Sequence, residues 1–218
     1  MTGEPATLVI LAGGESKRMG RPKHLLPTSA GTVIDLLCER LSPLFVETLV
    51  VGGRLASPTP GVLMVEDRSP ARGPLVGIYS GLLGAKTDLA LVIACDMPFV
   101  RSELAQAFLS RSGGVDVVVA RVGGYYEPLC AVYRRSALPA IRKALGRGEL
   151  KVTGIYSSLR LHEVSEEEVR ALDSDLSSFL NLNTPRELDL LLRPERADRA
   201  LADPLVSEPQ PLGCEQRR

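Results

Sequence analysis

Short, almost wholly apolar runs alternate with amphipathic helical patterns along the chain, and this alternation restricts the fold more than any other feature. Leu8-Val9-Ile10-Leu11, Thr48-Leu49-Val50-Val51, Val62-Leu63-Met64-Val65, Leu89 to Ala94 and Val115 to Ala120 read as strands buried on both faces. Between them Val33, Leu36, Leu37 and Leu41 fall at i, i+3, i+4 and i+8, and Leu75, Ile78, Tyr79, Leu82 and Leu83 repeat that face. The order predicts an α/β fold of three layers, with a mostly parallel central sheet covered by helices.

The second half is less regular. Pro128 to Tyr133 is strand-like, Ser136 to Leu145 has a helical pattern, and an acidic run follows at Glu166-Glu167-Glu168. Thr184-Pro185-Arg186-Glu187 carries a helix-start signature, with Thr at N-cap, Pro at N1 and Glu at N3, ahead of Leu188 to Leu192. Beyond Arg193 the composition shifts to Pro, Asp, Glu and Arg with scattered Leu. The expectation is one domain over 1–193 and a disordered tail over 194–218.

Lys plus Arg and Asp plus Glu both number 26, so no whole-chain basic field is available to hold nucleic acid or an acidic membrane. An anionic ligand must be gripped locally. Cys38, Cys95, Cys130 and Cys214 are too scattered for a Cys-x-x-Cys metal or redox site, and a reduced cytoplasmic protein is the simplest reading. The N-terminal apolar run, Ala6 to Ala12, is too short to span a bilayer and lacks the basic flank of a signal peptide.

Chemistry concentrates at the ends of the apolar runs. Leu11-Ala12-Gly13-Gly14-Glu15-Ser16-Lys17-Arg18-Met19-Gly20 begins where the first strand ends, at the carboxyl edge where open α/β sheets bind ligands. Consecutive glycines let backbone N–H groups converge on a phosphate, and Lys17, Arg18 and Lys23 add positive charge. The spacing matches neither a Walker loop nor Gly-x-Gly-x-x-Gly. Asp96 in Ala94-Cys95-Asp96-Met97-Pro98 ends another strand at the same edge. Magnesium needs only one or two protein carboxylates, so Asp96 is the candidate ligand, although an isolated Asp there is most often a turn cap. Asp67 ends the third strand and is a candidate for nucleotide contact, against the plainer reading of a surface ion pair with Arg68 or Arg72. Gly73, Gly77 and Gly81 recur every four residues, which close packing of a helix on the sheet explains. Neither His24 nor His162 sits in a nucleophile motif, which argues against acyl transfer.

Taken in order, the glycine loop, Lys23 with Leu25-Leu26-Pro27, Gly73-Pro74-Leu75-Val76-Gly77-Ile78, Cys95-Asp96-Met97-Pro98, Glu127-Pro128-Leu129-Cys130 and Asn181-Leu182-Asn183-Thr184-Pro185 resemble the molybdenum cofactor guanylyltransferases over residues 6 to 192. The resemblance implies a three-layer nucleotide-binding fold and transfer of GMP from GTP to the terminal phosphate of molybdopterin, with Mg2+ as cofactor. It implies GTP contacts at Leu11, Ala12, Gly13, Lys23, Asp67 and Asp96, with Asp96 also holding the metal. Gly14 and Arg18 would face the phosphates, and Asn181 and Asn183 the molybdopterin. Proteins of the molybdenum cofactor pathway are implied as partners by the resemblance alone. The chain departs from the family where Pro22 stands in place of a frequent Asp and where Val51-Gly52-Gly53 lacks an Asn that touches the nucleotide in some members.

A phosphate monoester acceptor, with a second pKa of roughly 6, is already an anionic nucleophile at neutral pH and needs no general base. Catalysis then reduces to positioning and charge neutralisation, the work expected of Arg18, Lys23 and Asp96. The rival readings are a cytidylyltransferase acting on the same acceptor with CTP and a nucleotide-binding assembly module without activity. A sugar-1-phosphate nucleotidyltransferase usually needs a longer chain.

Overall fold

The computed structural model describes residues 4–13, 22–28, 30–53, 55, 59–69 and 71–182. In chain order these form β1 (Ala6–Leu11), the short β2 (Pro27–Thr28) and β3 (Gly31–Thr32), α1 (Val33–Leu41), β4 (Glu47–Val51), β5 (Val62–Val65) and α2 (Pro74–Gly84). Then come β6 (Leu89–Ala94), α3 (Ser102–Ser110), β7 (Val117–Val122), β8 (Tyr125–Arg134), α4 (Leu138–Gly146), β9 (Leu161–Ser165) and α5 (Glu166–Arg170).

Seven strands make one sheet in the order β5-β4-β1-β6-β8-β7-β9, and only β8 runs against its neighbours. β1 and β6 have no solvent-facing residue, as strands in the middle of a parallel sheet must, and the one polar side chain in them, Thr7, is hydrogen-bonded to Glu47. One face of the sheet buries Leu8, Ile10, Leu91 and Ile93 against α1, α3 and α5 through Leu37, Phe108 and Val169. The other buries Val9, Leu11, Ala90 and Val92 against α2 and α4 through Ile78, Leu82 and Ile141. The three-layer α/β arrangement and the mostly parallel sheet expected from the sequence are both present. Among the described residues no helix is long and apolar enough to cross a membrane.

Local chemistry sets the boundaries. Thr32 caps α1 by accepting a hydrogen bond from the Asp35 N–H, while Asp35 Oδ2 takes the Thr32 N–H in return at 2.8 Å. α2 lies close on the sheet because its glycines leave no side chain there: a Cβ at Gly81 would come within 2.5 Å of Val9 Cγ1, and one at Gly77 within 3.0 Å of Leu11 Cδ2. Gly73 differs from these two. It stands just before α2 with φ 146°, a backbone conformation that only glycine adopts cheaply, and its Cβ position is almost open.

Three features depart from the expected elements. The strand expected over Val115 to Ala120 is shifted to Val117–Val122, because Asp116 is occupied at its start: it accepts hydrogen bonds from the Arg160 backbone and guanidinium and from Ser136. A two-residue turn, Gly123-Gly124 with φ of 57° and 83°, joins β7 directly to β8, so β8 begins at Tyr125 instead of Pro128. β9 was not expected, and Ser165 at its end forms a capping box with Glu168 that turns the acidic run into α5. The expected helix after Thr184 and the boundary at residue 193 lie outside the described residues.

Candidate active site

The ends of β5, β4, β1 and β6 are tied together one residue beyond their ladders. The Gly52 N–H donates to the Val65 carbonyl at 3.2 Å, the Ala12 N–H to Val51 at 2.9 Å, and the Cys95 N–H to Leu11 at 3.0 Å. Leu11 and Ala12 are buried and these backbone groups are committed to the sheet edge, which leaves Gly13 as the first exposed residue of the glycine loop.

Around Gly13 the edge is flat because side chains are missing from it. Gly52, at φ 73°, lies so close that a Cβ there would sit 3.3 Å from Gly13 Cα and 3.3 Å from Asp67 Oδ2. A Cβ at Gly53 would come 2.4 Å from that of Ala12. Val51 is buried, so the end of β4 offers glycine backbone at this point. Asp67 is exposed beside it and makes no ion pair with Arg68 or Arg72 among the described residues, and partial burial pushes its carboxyl above the usual range.

Two strands away, the Lys23 ammonium donates to Asp96 Oδ2 at 3.1 Å. Lys23 opens a single 3-10 turn, Lys23–Leu25, that follows Pro22; Asp96 lies in the turn after β6, where the Met97 N–H donates to Ala94 at 3.0 Å. The pair is only partly covered, with side-chain exposures of 20% and 28%. The backbone carbonyl of the same Asp96 accepts the Leu182 N–H at 2.6 Å, which lays Asn181-Leu182 against the turn. The Asn181 Oδ1 is buried with no hydrogen-bond partner among the described residues.

Glu127 was not assigned a role from the sequence. It sits near the start of β8, next along the sheet from β6, only 7% exposed and without a hydrogen bond among the described residues. Burial pushes its carboxyl up to about 7. A charged residue one position ahead of the apolar strand Pro128 to Tyr133 was the available signal. Gly14, Arg18 and Asn183 lie outside the described residues. Among the described residues no cluster of three or more His, Cys, Asp or Glu could hold a metal ion.

Residues 8–164 match the model of the MobA-like NTP transferase domain. A "Probable molybdenum cofactor guanylyltransferase" of Pelotomaculum thermopropionicum is 41% identical over 189 residues, covering 84% of this chain and 90% of that protein. A "Molybdenum cofactor guanylyltransferase" of Desulfosudis oleivorans is 34% identical over 197 residues, with coverages of 85% and 94%. Among solved structures, the molybdopterin-guanine dinucleotide biosynthesis protein A of Archaeoglobus fulgidus superposes with a TM-score of 0.75 at 26% identity, over 88% of this chain and 99% of that one. The 2-C-methyl-D-erythritol 4-phosphate cytidylyltransferase of Thermus thermophilus has a TM-score of 0.62 at 17% identity, which speaks for the fold alone, over 86% and 98% of the two chains. With most of its length matched by the family model and by relatives of this identity, the chain belongs to the MobA-like NTP transferase family and is a nucleotidyltransferase.

Proposed function

We propose that the protein transfers GMP from GTP to the terminal phosphate of molybdopterin and releases pyrophosphate, forming a guanine dinucleotide cofactor. The observation that carries this reading is the Lys23–Asp96 pair at the carboxyl edge, beside the glycine-lined surface at Gly13 and Gly52, with Asn181-Leu182 fastened to the Asp96 carbonyl. A triphosphate lying across that glycine surface brings its α-phosphate to Lys23 and Asp96, with the base toward Asp67. The relatives named as guanylyltransferases support guanine as the base.

In this reading an acceptor phosphate oxygen attacks the α-phosphorus in line. One P–O bond forms, the bond to the bridging oxygen of the β-phosphate breaks, and that oxygen leaves with pyrophosphate. Lys23 neutralises charge that develops on the phosphoryl oxygens, and Arg18 and the backbone N–H groups of Gly13 and Gly14 share that role. Leu11 and Ala12 form the floor beneath them. Asp96 fits a Mg2+ ligand: Oδ2 receives Lys23, while Oδ1 accepts no hydrogen bond among the described residues. Magnesium bound there supplies Lewis-acid stabilisation at phosphate oxygens. Asn181 and Asn183 bind the molybdopterin. Cys38, Cys95 and Cys130 are buried free thiols, which supports a reducing cytoplasmic setting.

The test is pyrophosphate release by the purified protein with Mg2+ and molybdopterin, run with GTP and with CTP. Release with GTP alone is expected. Release with CTP alone keeps the chemistry and overturns the substrate, and release with neither overturns the proposal.

A further inference from the structure

The sheet order divides the edge around Asp96 into two sides. Gly13, Gly52 and Asp67 follow the ends of β1, β4 and β5, whereas β8 flanks β6 on the opposite side. In the β6–β8 register Ile93 faces Cys130; beyond that pair β6 ends at Ala94 and turns at Asp96, while Glu127 lies three residues before Cys130, toward the same edge of the sheet. The segment that ends at Asn181 reaches the same region. Asp173 accepts hydrogen bonds from the Ser177 and Ser178 backbone N–H groups and pairs with Arg101, which fixes the chain leading to Asn181. The negative charges of Glu127 and Asp173 both bear on the buried Cys130 thiol.

The Glu127 carboxyl, 7% exposed, has no hydrogen-bond partner among the described residues. Tyr133 gives its hydroxyl proton to the Pro128 carbonyl at 2.8 Å, so the Tyr156 hydroxyl, 3.0 Å away, must donate to Tyr133. Tyr126 sets its ring edge-on to Tyr156 and its hydroxyl is drawn to Glu163. Each tyrosine proton near Glu127 is therefore directed elsewhere. A second acceptor, Asn181 Oδ1, is fully buried and has no donor among the described residues. Buried polar atoms of a folded protein are rarely left unpaired. Two acceptors near the Asp96 turn, one on β8 and one on the segment fastened to Asp96, call for a ligand that presents several N–H donors.

We infer that Glu127 is a specificity-determining residue of the acceptor site, its carboxyl accepting hydrogen bonds from the 2-amino-4-oxopyrimidine edge of a pterin. That edge places an exocyclic NH2 beside a ring N–H, a pair of adjacent donors that the two oxygens of one carboxylate match. The inference rests on the proposed acceptor and adds to it the group that reads its ring. Lumazines, which carry oxygen in place of the 2-amino group, lack one of the two donors and are the compounds this site rejects.

The experiment compares the full-length wild type with Glu127→Gln, which keeps the shape but turns one acceptor into a donor. Kinetics measure KM for molybdopterin and for GTP. Fluorescence titrations measure binding of 6-hydroxymethylpterin and of its 2-oxo counterpart. The variant should raise the molybdopterin KM by about tenfold or more, the loss expected when a charge-assisted hydrogen bond is removed, and leave the GTP KM within about twofold. The wild type should favour the pterin over the lumazine by a similar factor, and the variant should lose that preference. Retention of the preference by the variant, an unchanged molybdopterin KM, or no saturable pterin binding by the wild type each overturns the assignment. If the wild type releases no pyrophosphate, the proposed reaction fails, and the titrations alone decide the role of Glu127. Unchanged Mg-GTP binding by the variant shows that its fold is intact.

Discussion

Leu182 donates its backbone N–H to the carbonyl of Asp96, 2.6 Å away, so the residue that pairs with Lys23 through its side chain is fastened by its main chain to the segment bearing Asn181. The Asp96 side chain can therefore be removed without releasing that segment.

Asp96→Ala should lower kcat for pyrophosphate release by about a thousandfold or more, the loss expected when a phosphoryl-transfer site loses its charge-neutralising centre. Stability should change by ~1 kcal/mol or less, since the pair with Lys23 is partly exposed. Activity and a urea melt measured on one preparation check both, and a variant within tenfold of wild-type kcat refutes the proposed role.

Gly81→Ala places a methyl group where Val9 Cγ1 would be 2.5 Å away, between the first strand and α2. It should destabilise the protein by ~1–3 kcal/mol, the usual cost of overpacking a core. Gly154→Ala, with nothing within 4 Å of its Cβ position, should come within ~0.5 kcal/mol of wild type. Equal melting midpoints for the two would contradict this account of the α2 packing.

Gly53→Ala tests the glycine-lined surface. The new Cβ would be 2.4 Å from that of Ala12, so the β4 loop must move off the edge where the nucleotide is proposed to lie. The expected result is a rise of about tenfold in the KM for GTP with a smaller change in the molybdopterin KM. A larger effect on the acceptor would place the nucleotide elsewhere.

The buried Glu127 makes stability depend on pH. Burial raises its pKa from 4.5 to about 7, so the folded state favours the neutral carboxyl. A raised carboxyl pKa gives the folded protein an advantage at low pH that fades as pH climbs from about 4.5 to about 7. Glu127→Gln removes the ionisation and should exceed the wild type in stability by up to ~2–3 kcal/mol at pH 8, with the gap closing near pH 5. Denaturant midpoints at the two pH values measure it, and a gap that widens toward acid would reverse the sign.

Asp116 acts in the opposite sense. Hydrogen bonds from Arg160 and Ser136 hold its carboxyl well below the usual range. The stability it adds is present above about pH 4 and is lost as pH falls further. Asp116→Asn should lower the melting midpoint by several degrees at pH 7, and the difference from wild type should shrink below pH 4. A difference that is constant from pH 7 to pH 3 would assign the effect to something other than charge.

The sequence made the central strands and α2 legible because burial on both faces leaves uninterrupted Val, Leu and Ile with no polar alternation to obscure them. β9 was invisible for the converse reason. Leu161-His162-Glu163-Val164-Ser165 is an edge strand with a single fully buried side chain, and it is held mainly by pairing with β7. At the site, Lys23 and Asp96 could be placed on one edge from their strand ends, whereas their direct contact depends on a 3-10 turn that no periodicity announces. Glu127 entered the sequence reading only as part of the motif Glu127-Pro128-Leu129-Cys130; its burial at 7% exposure is a product of the folded sheet that no local pattern announces.

Because β8 alone runs against its neighbours, it reaches the ligand edge at its beginning, straight out of the Gly123-Gly124 turn. The two halves of that edge are thus made by different kinds of connection. The half at β4, β1 and β6 is formed by connections between parallel strands, each tied at both ends to elements that must keep their places. The half at β8 is formed by a hairpin, which can lengthen, shorten or change composition without shifting any crossover. Within a lineage, the contacts around Glu127 can accordingly diverge while those around Gly13 and Asp96 hold still.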